Sequence, residues 1–195
     1  MDVNDNAGLL FKRGALRLIA GKSVTLPQSR MEMESAEILV LQASYTNPVH
    51  AEAIGQVLNH YAEDPMGIGH SLPAEVLEHL PRELAKRPHA FSVLAFVGGE
   101  PAGLVNCFEG FSTFACRPLV NVHDVVVVKQ FRGLGLSQKM LQKVEDIARQ
   151  RGCCKITLEV LEGNAVAQSS YAKFGFSAGM FDPEHGRMLF WTKPL

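Results

Sequence analysis

The run Gln130-Phe131-Arg132-Gly133-Leu134-Gly135-Leu136-Ser137 carries residue types suited to holding a phosphate group. It lies between the valines Val125–Val128 and a stretch with helical spacing that opens at Leu136. The first amides of a helix have no carbonyl partner within it, and the aligned peptide dipoles add partial positive charge there. Gly133 and Gly135 permit close backbone approach and positive φ. Arg132 adds a charge and Ser137 a hydroxyl. This chemistry suits a pyrophosphate, although a tight turn without a ligand uses the same two glycines. Two phosphate loops are excluded. Gln138 stands where a dinucleotide fingerprint needs its third glycine, and Gly135 is followed by Leu136-Ser137 where a P-loop needs Lys-Ser/Thr.

Such a turn acts only if a strand and a helix aim it, and the flanking patterns supply both. Leu119–Val128 reads as a strand covered on both faces, because its apolar residues run without alternation. Leu136–Arg151 reads as a helix, with Leu136, Met140, Leu141, Val144, Ile147 and Ala148 on one face, Glu145 set to pair with Arg149, and Gly152 as its stop. Upstream, Ile38–Ala43 predicts a strand, and Pro48 opens a helix through Tyr61 that ends at Asp64-Pro65. Pro73–Lys86 predicts a second helix, bent or interrupted at Pro81. Phe91–Val97 and Ala102–Phe108 form a hairpin across Gly98-Gly99-Glu100-Pro101, with the second arm continuing toward Phe114. Lys155–Val160 reads as a strand, Asn164–Phe174 as a short helix ending at Gly175, and Met188–Thr192 as a last strand. The order β-α-α-β-β-β-α-β-α-β is α/β (α+β), a single sheet with helices packed on it.

The chain has 195 residues, with 19 Lys+Arg against 20 Asp+Glu, a formal charge of −1. That size predicts one domain with its own core. Near-neutral charge argues against a nucleic-acid partner. No apolar run reaches the roughly 20 residues of a membrane span. Residues 1–33 read as an N-terminal extension, loosely attached, ahead of a single domain over 34–195; Lys12, Arg13 and Arg17 interrupt any secretory core within it. Cys107, Cys116, Cys153 and Cys154 make no C-x-x-C pair and no zinc spacing, so reduced thiols, no metal site and a cytoplasmic location are expected.

Gln130-x-x-Gly133-x-Gly135 resembles the Q/R-x-x-G-x-G/A motif of the GNAT superfamily of acetyl-CoA-dependent N-acetyltransferases. Asn164-x-x-Ala167-x-x-x-Tyr171-x-Lys173-Phe174-Gly175-Phe176 resembles that family's later N-x-x-A-x-x-x-Y-x-K-x-G-F pattern. The two fall in the right order on the right elements, and the resemblance covers about residues 36–195. It implies the GNAT fold, a mixed and mostly antiparallel sheet splayed between strands 4 and 5, with helices on both faces. It implies acetyl-CoA as co-substrate. The pantetheine arm would bond the backbone of Val125, Val126, Val127 and Val128. The pyrophosphate would sit on the turn built by Gln130, Arg132, Gly133, Leu134, Gly135, Leu136 and Ser137. Asn164 would contact the pantetheine or support the splay, and the same side chain suits a helix N-cap.

The implied reaction is direct attack of a primary amine, on a small molecule or a peptide, at the thioester. Tyr171 occupies the position of the proton donor to the departing thiolate. His123 is the favoured base, because an imidazole ordinarily titrates near neutrality; Asp124 and water are the alternatives. Alternation of strand side chains argues that His123 and Asp124 do not both face the acceptor. The acceptor pocket would be built by Tyr61–His70, the Asn106–Phe114 arm and the Phe181–Arg187 turn, with Glu109 attracting a cationic amine and Phe108, Phe111 and Phe114 as walls. A homodimer is the assembly suggested by analogy with the family. Different readings of the same motifs are a non-catalytic acyl-CoA sensor and an acyltransferase that uses a longer acyl chain.

Overall fold

In a computed structural model of the chain, residues 35–177, 184 and 190–195 are described. Among these residues, five strands lie in the order β1-β2-β3-β4-β5: Ile38–Gln42, Ala90–Val97, Glu100–Ser112, Arg117–Val127 and Ile156–Leu158. The first four are antiparallel and β5 runs parallel to β4. Gly98 and Gly99, with φ of 59° and 88°, turn the β2–β3 hairpin in the doubly positive conformation that matches strand twist. The helices among the described residues are α1 (Pro48–Glu63), α2 (Ala74–Ala85), α3 (Leu136–Gln150) and α4 (Ala165–Phe174). Asn47 caps α1, its side-chain oxygen accepting from the Val49 and His50 amides, and Pro48 sits where a missing N–H costs nothing.

One sheet face meets α1 and α2. Ala53, Ile54, Val57 and Leu84 pack there against Leu94, Phe96, Leu104 and Val126. The pleat turns Gly103 the other way, toward α3, where a Cβ would stand 3.0 Å from the Met140 sulfur. The glycine therefore sets how closely α3 lies on the sheet. The six α3 residues read as one apolar face are all buried. The whole is a mixed, open sheet with helices on both sides, as the motifs implied.

Three elements differ from the sequence reading. Pro81 lies inside α2 without ending it; the helix continues to Ala85. The fifth strand is three residues rather than Lys155–Val160, because β4 offers it only Val120, Asn121 and Val122 as partners. Phe190–Thr192 carries no regular structure; Met188 and Leu189, the first two residues of that expected strand, lie outside the described set. So does the extension read at residues 1–33, while Ala36–Leu195 forms one unit. Among the described residues no helix is long and apolar enough to cross a membrane.

Candidate active site

Among the described residues, β4 beyond Val122 runs on to Val127 paired with β3 alone, which leaves its outer edge open. The Val128 amide donates to the Ala102 carbonyl at 2.9 Å. An antiparallel ladder alternates, so Val126 and Val128 turn their polar backbone groups to β3, and Val125 and Val127 turn theirs to the open edge. Only two of the four valines therefore offer backbone bonds to a strand-like ligand there. The Val127 carbonyl accepts from Arg132 Nε at 3.2 Å.

A single 3-10 turn, Lys129–Phe131, leads from β4 into the glycine turn; Phe131 is buried and anchors it, and Gln130 is exposed. Gly133 and Gly135 have φ of 91° and 72°. Gly135 is the N-cap of α3, and it brings no side-chain acceptor. The amides of Leu136, Ser137 and Gln138 thus have no intrahelical partner and no side-chain cap. A Cβ at Gly135 would meet nothing within 4 Å, so the approach to these amides is open. Leu134 is half-buried and Leu136 buried, which fixes the turn.

Two side chains read as phosphate ligands have protein partners. Arg132 meets Asp64 at 2.9 Å. Asp64 also accepts from the Met66 amide, and these two bonds, the amide first, hold its carboxyl below the usual range. The Ser137 hydroxyl meets that of Ser170 at 3.1 Å, and Gln138 Nε2 donates to the Ser170 carbonyl at 2.9 Å. These bonds clamp α4 onto the first turn of α3. Asn164 caps α4, accepting from the Ala167 amide at 3.1 Å. Tyr171 is half-buried on α4, edge-on to Phe176 at 6.0 Å between ring centres. Burial, with a smaller effect from nearby Tyr61, raises its pKa, so the phenol keeps its proton at neutral pH.

The rule that adjacent strand residues face opposite ways fails within β4 at His123. Asn106 pairs with Asp124, but Cys107 pairs with Val122, leaving His123 as an extra residue in β4. This β-bulge lets His123 and Asp124 both line one cavity, of about 480 Å³, on the α1–α2 face. His123 stands edge-on to Phe108 at 5.6 Å. Tyr61 lies across the cavity; burial, with the charges of Asp124 and Asp64 after it, raises its pKa.

The cavity includes Tyr61, Met66 and Ile68 from the predicted 61–70 segment and Asn106 and Phe108 from the predicted arm. Glu109 does not belong to it. It points to the α3 face and pairs with Arg151 at 3.1 Å, since the residue after Phe108 must turn away from Phe108. Phe111 and Phe114 are not walls either; both are exposed, at the far end of the β3–β4 hairpin. Of the Phe181–Arg187 turn only Glu184 lies within the described residues. A second hollow, of about 270 Å³ beside Cys153 and Phe174, contains none of the predicted site residues. No metal-binding cluster is found among the described residues.

A hydrogen-bonded chain was not anticipated. Tyr45 meets Ser92 Oγ at 3.0 Å, Ser92 donates to Asn106 Oδ1 at 2.7 Å, and Asn106 Nδ2 donates to Asp124 Oδ2 at 2.9 Å. Ser92 and Asn106 are 0% and 4% exposed. The visible signal was two polar residues inside otherwise apolar strands, in AFSVLAFV and AGLVNCF.

The acetyltransferase (GNAT) family model matches residues 55–176. The thialysine N-epsilon-acetyltransferase of Caenorhabditis elegans is 30% identical over 126 residues, 64% of this chain and 75% of that protein. The Sus scrofa protein of the same name is 32% identical over 84 residues, and the match spans only 48% of its length. A solved aminoglycoside N-acetyltransferase in complex with CoA superposes with a TM-score of 0.64 at 18% identity, over 87% of this chain and 99% of that one. The match of the family model to an open-edged fourth strand, followed by an uncapped glycine turn, settles the assignment: the chain belongs to the GNAT family of acetyltransferases and is an acyltransferase enzyme.

Proposed function

We propose that the enzyme transfers the acetyl group of acetyl-CoA to a primary amine by direct attack in a ternary complex. One observation carries this reading: the open edge of β4 and the acceptor cavity meet at the bulge, so a thioester lying along Val125 and Val127 would end beside His123 and Asp124. The residues present fit acetyl-CoA. An extended arm finds the outward backbone groups of Val125 and Val127, and a pyrophosphate finds the uncapped amides of Leu136–Gln138. Acetyl-CoA supplies the activated acyl group; the protein supplies positions and protons.

His123, directly or through water, takes a proton from the acceptor ammonium. The freed nitrogen attacks the thioester carbonyl, the C–N bond forms and the C–S bond breaks. Tyr171, kept protonated by its burial, gives its proton to the sulfur. Amide, CoA thiol and one released proton balance the reaction. The test is thiol release from acetyl-CoA across a panel of amines. Amine-dependent release is expected. Release at the same rate without any amine would replace the transferase reading with a thioesterase.

A further inference from the structure

The cavity beside the bulge is chemically lopsided. Leu58, Ile68, Leu72, Leu80, Leu84 and Phe108 give it an apolar body. Among the described residues that line it, Asp124 is the sole carboxylate, and no lysine or arginine is present. Asp124 is also held with care. A carboxylate can only accept, so Asn106 must turn its amide NH2 toward it. Asn106 Oδ1 then takes the Ser92 proton, and Ser92 Oγ takes that of Tyr45. The phenol can serve as this terminal donor, because burial raises its pKa. Three donors in series thus point at Asp124 Oδ2 from inside the sheet.

We infer that the acceptor is an amine with a single cationic centre on an apolar body, its ammonium on Asp124 and its body in the Leu58–Phe108 cavity, and that Tyr45, Ser92 and Asn106 are the positioning residues for that carboxylate. This rests on the amine-transfer reading above. The charge arithmetic decides the class. One ammonium is matched by one carboxylate. A second ammonium inside the same apolar walls has no counter-charge among the described residues that line them, since nearby Asp64 is already paired with Arg132, and an unpaired buried charge is strongly unfavourable. Apolar methylenes gain instead, each by about fourfold in binding until the cavity is filled.

The experiment compares n-propylamine through n-hexylamine with 1,6-diaminohexane, by thiol release and by calorimetric binding to the protein with and without CoA. Hexylamine is expected to exceed the diamine at least tenfold, with a steady rise along the alkyl series. Ile68, 56% exposed on its loop, tolerates a charge, and Ile68→Asp should shift the preference toward the diamine. Tyr45→Phe should raise the KM for hexylamine about threefold with kcat and the CoA affinity unchanged, and should have no further effect in an Asp124→Asn background. A purely structural Tyr45 would alter all of these together. A diamine preferred over hexylamine, a flat alkyl series, or absent binding of every amine overturns the inference. Graded alkylamine binding without thiol release would uphold this acceptor site and refute the transfer reading.

Discussion

Gly135→Glu tests the phosphate site with the fewest side effects. A Cβ at this position meets nothing within 4 Å, so the new side chain has room. The backbone there has φ of 72°, which costs a non-glycine residue about 1–2 kcal/mol. The new carboxylate would lie at the uncapped start of α3 and recover about 0.3–1 kcal/mol from the helix dipole. The unliganded variant should therefore melt only a few degrees below the wild type. Acetyl-CoA at about a hundredfold its Kd adds about 2.7 kcal/mol to a protein that binds it. For a domain of this size that is a rise of about 5–10 °C in Tm. The wild type and Gly135→Ala should show the rise, since both keep the anion site; Gly135→Glu should lose it, because its own carboxylate occupies the amides. Differential scanning fluorimetry with and without acetyl-CoA measures all three. A full shift retained by Gly135→Glu would refute the placement of the pyrophosphate on α3.

Tyr171→Phe should lower kcat by about a hundredfold, within the usual range for a lost proton donor, while the acetyl-CoA midpoint shift stays intact; equal losses of both would make Tyr171 a packing residue. Gly67→Ala should raise the amine KM and cost about 1–3 kcal/mol of stability, because its Cβ would run into the Tyr61 carbonyl and stand 3.1 Å from that of Ala62, displacing Met66 and Ile68; urea melts and acceptor titrations read the two effects. Burial holds the pKa of His50 below its ordinary value, and Nδ1 accepts from the Ser44 amide. The unfolded chain then binds a proton that the folded one refuses, so this site's stabilisation is complete above the ordinary histidine pKa of about 6.5 and falls as pH drops below it. The decline should be absent in His50→Gln if its amide replaces the acceptor, as urea melts at pH 7.5 and 5.5 would report.

The strand–turn–helix at Val125–Ser137 was legible because its signals are local. Valine β-propensity, two glycines with positive φ and a 3.6-residue apolar period each act over a few residues. Tyr61, Asn106 and Phe108 were read as neighbours, and do line one cavity, for the same reason, through the ends of helix and hairpin. What stayed hidden depends on register across strands. Glu109 follows Phe108 in sequence, yet the pleat sends it to Arg151 on the opposite face. The Tyr45–Ser92–Asn106–Asp124 chain joins a loop and three strands, and only the pairings Ser92↔Asn106 and Asn106↔Asp124 bring it together. Ser137 and Arg132 sit in the turn as read, but which partner each side chain takes depends on where α4 and the end of α1 come to rest.

The bulge is the sharpest case, because it looks like a disruption and acts as an insertion. Val120 and Val122 pair opposite Glu109 and Cys107, and the next regular pair is Asp124 with Asn106. Striking His123 from the chain would leave an unbroken alternation: Val122 toward α3, Asp124 toward the cavity, Val125 with its polar groups at the open edge. His123 thus brings an imidazole to the site while its neighbours keep the faces a regular strand would give them. Deleting His123 should therefore leave a folded protein whose Tm still rises with acetyl-CoA, with turnover falling as far as it does in His123→Ala. If the deletion also abolishes the acetyl-CoA shift, the bend of the bulge is itself what parts β4 from β5, and His123 serves the cofactor cleft as much as the proton.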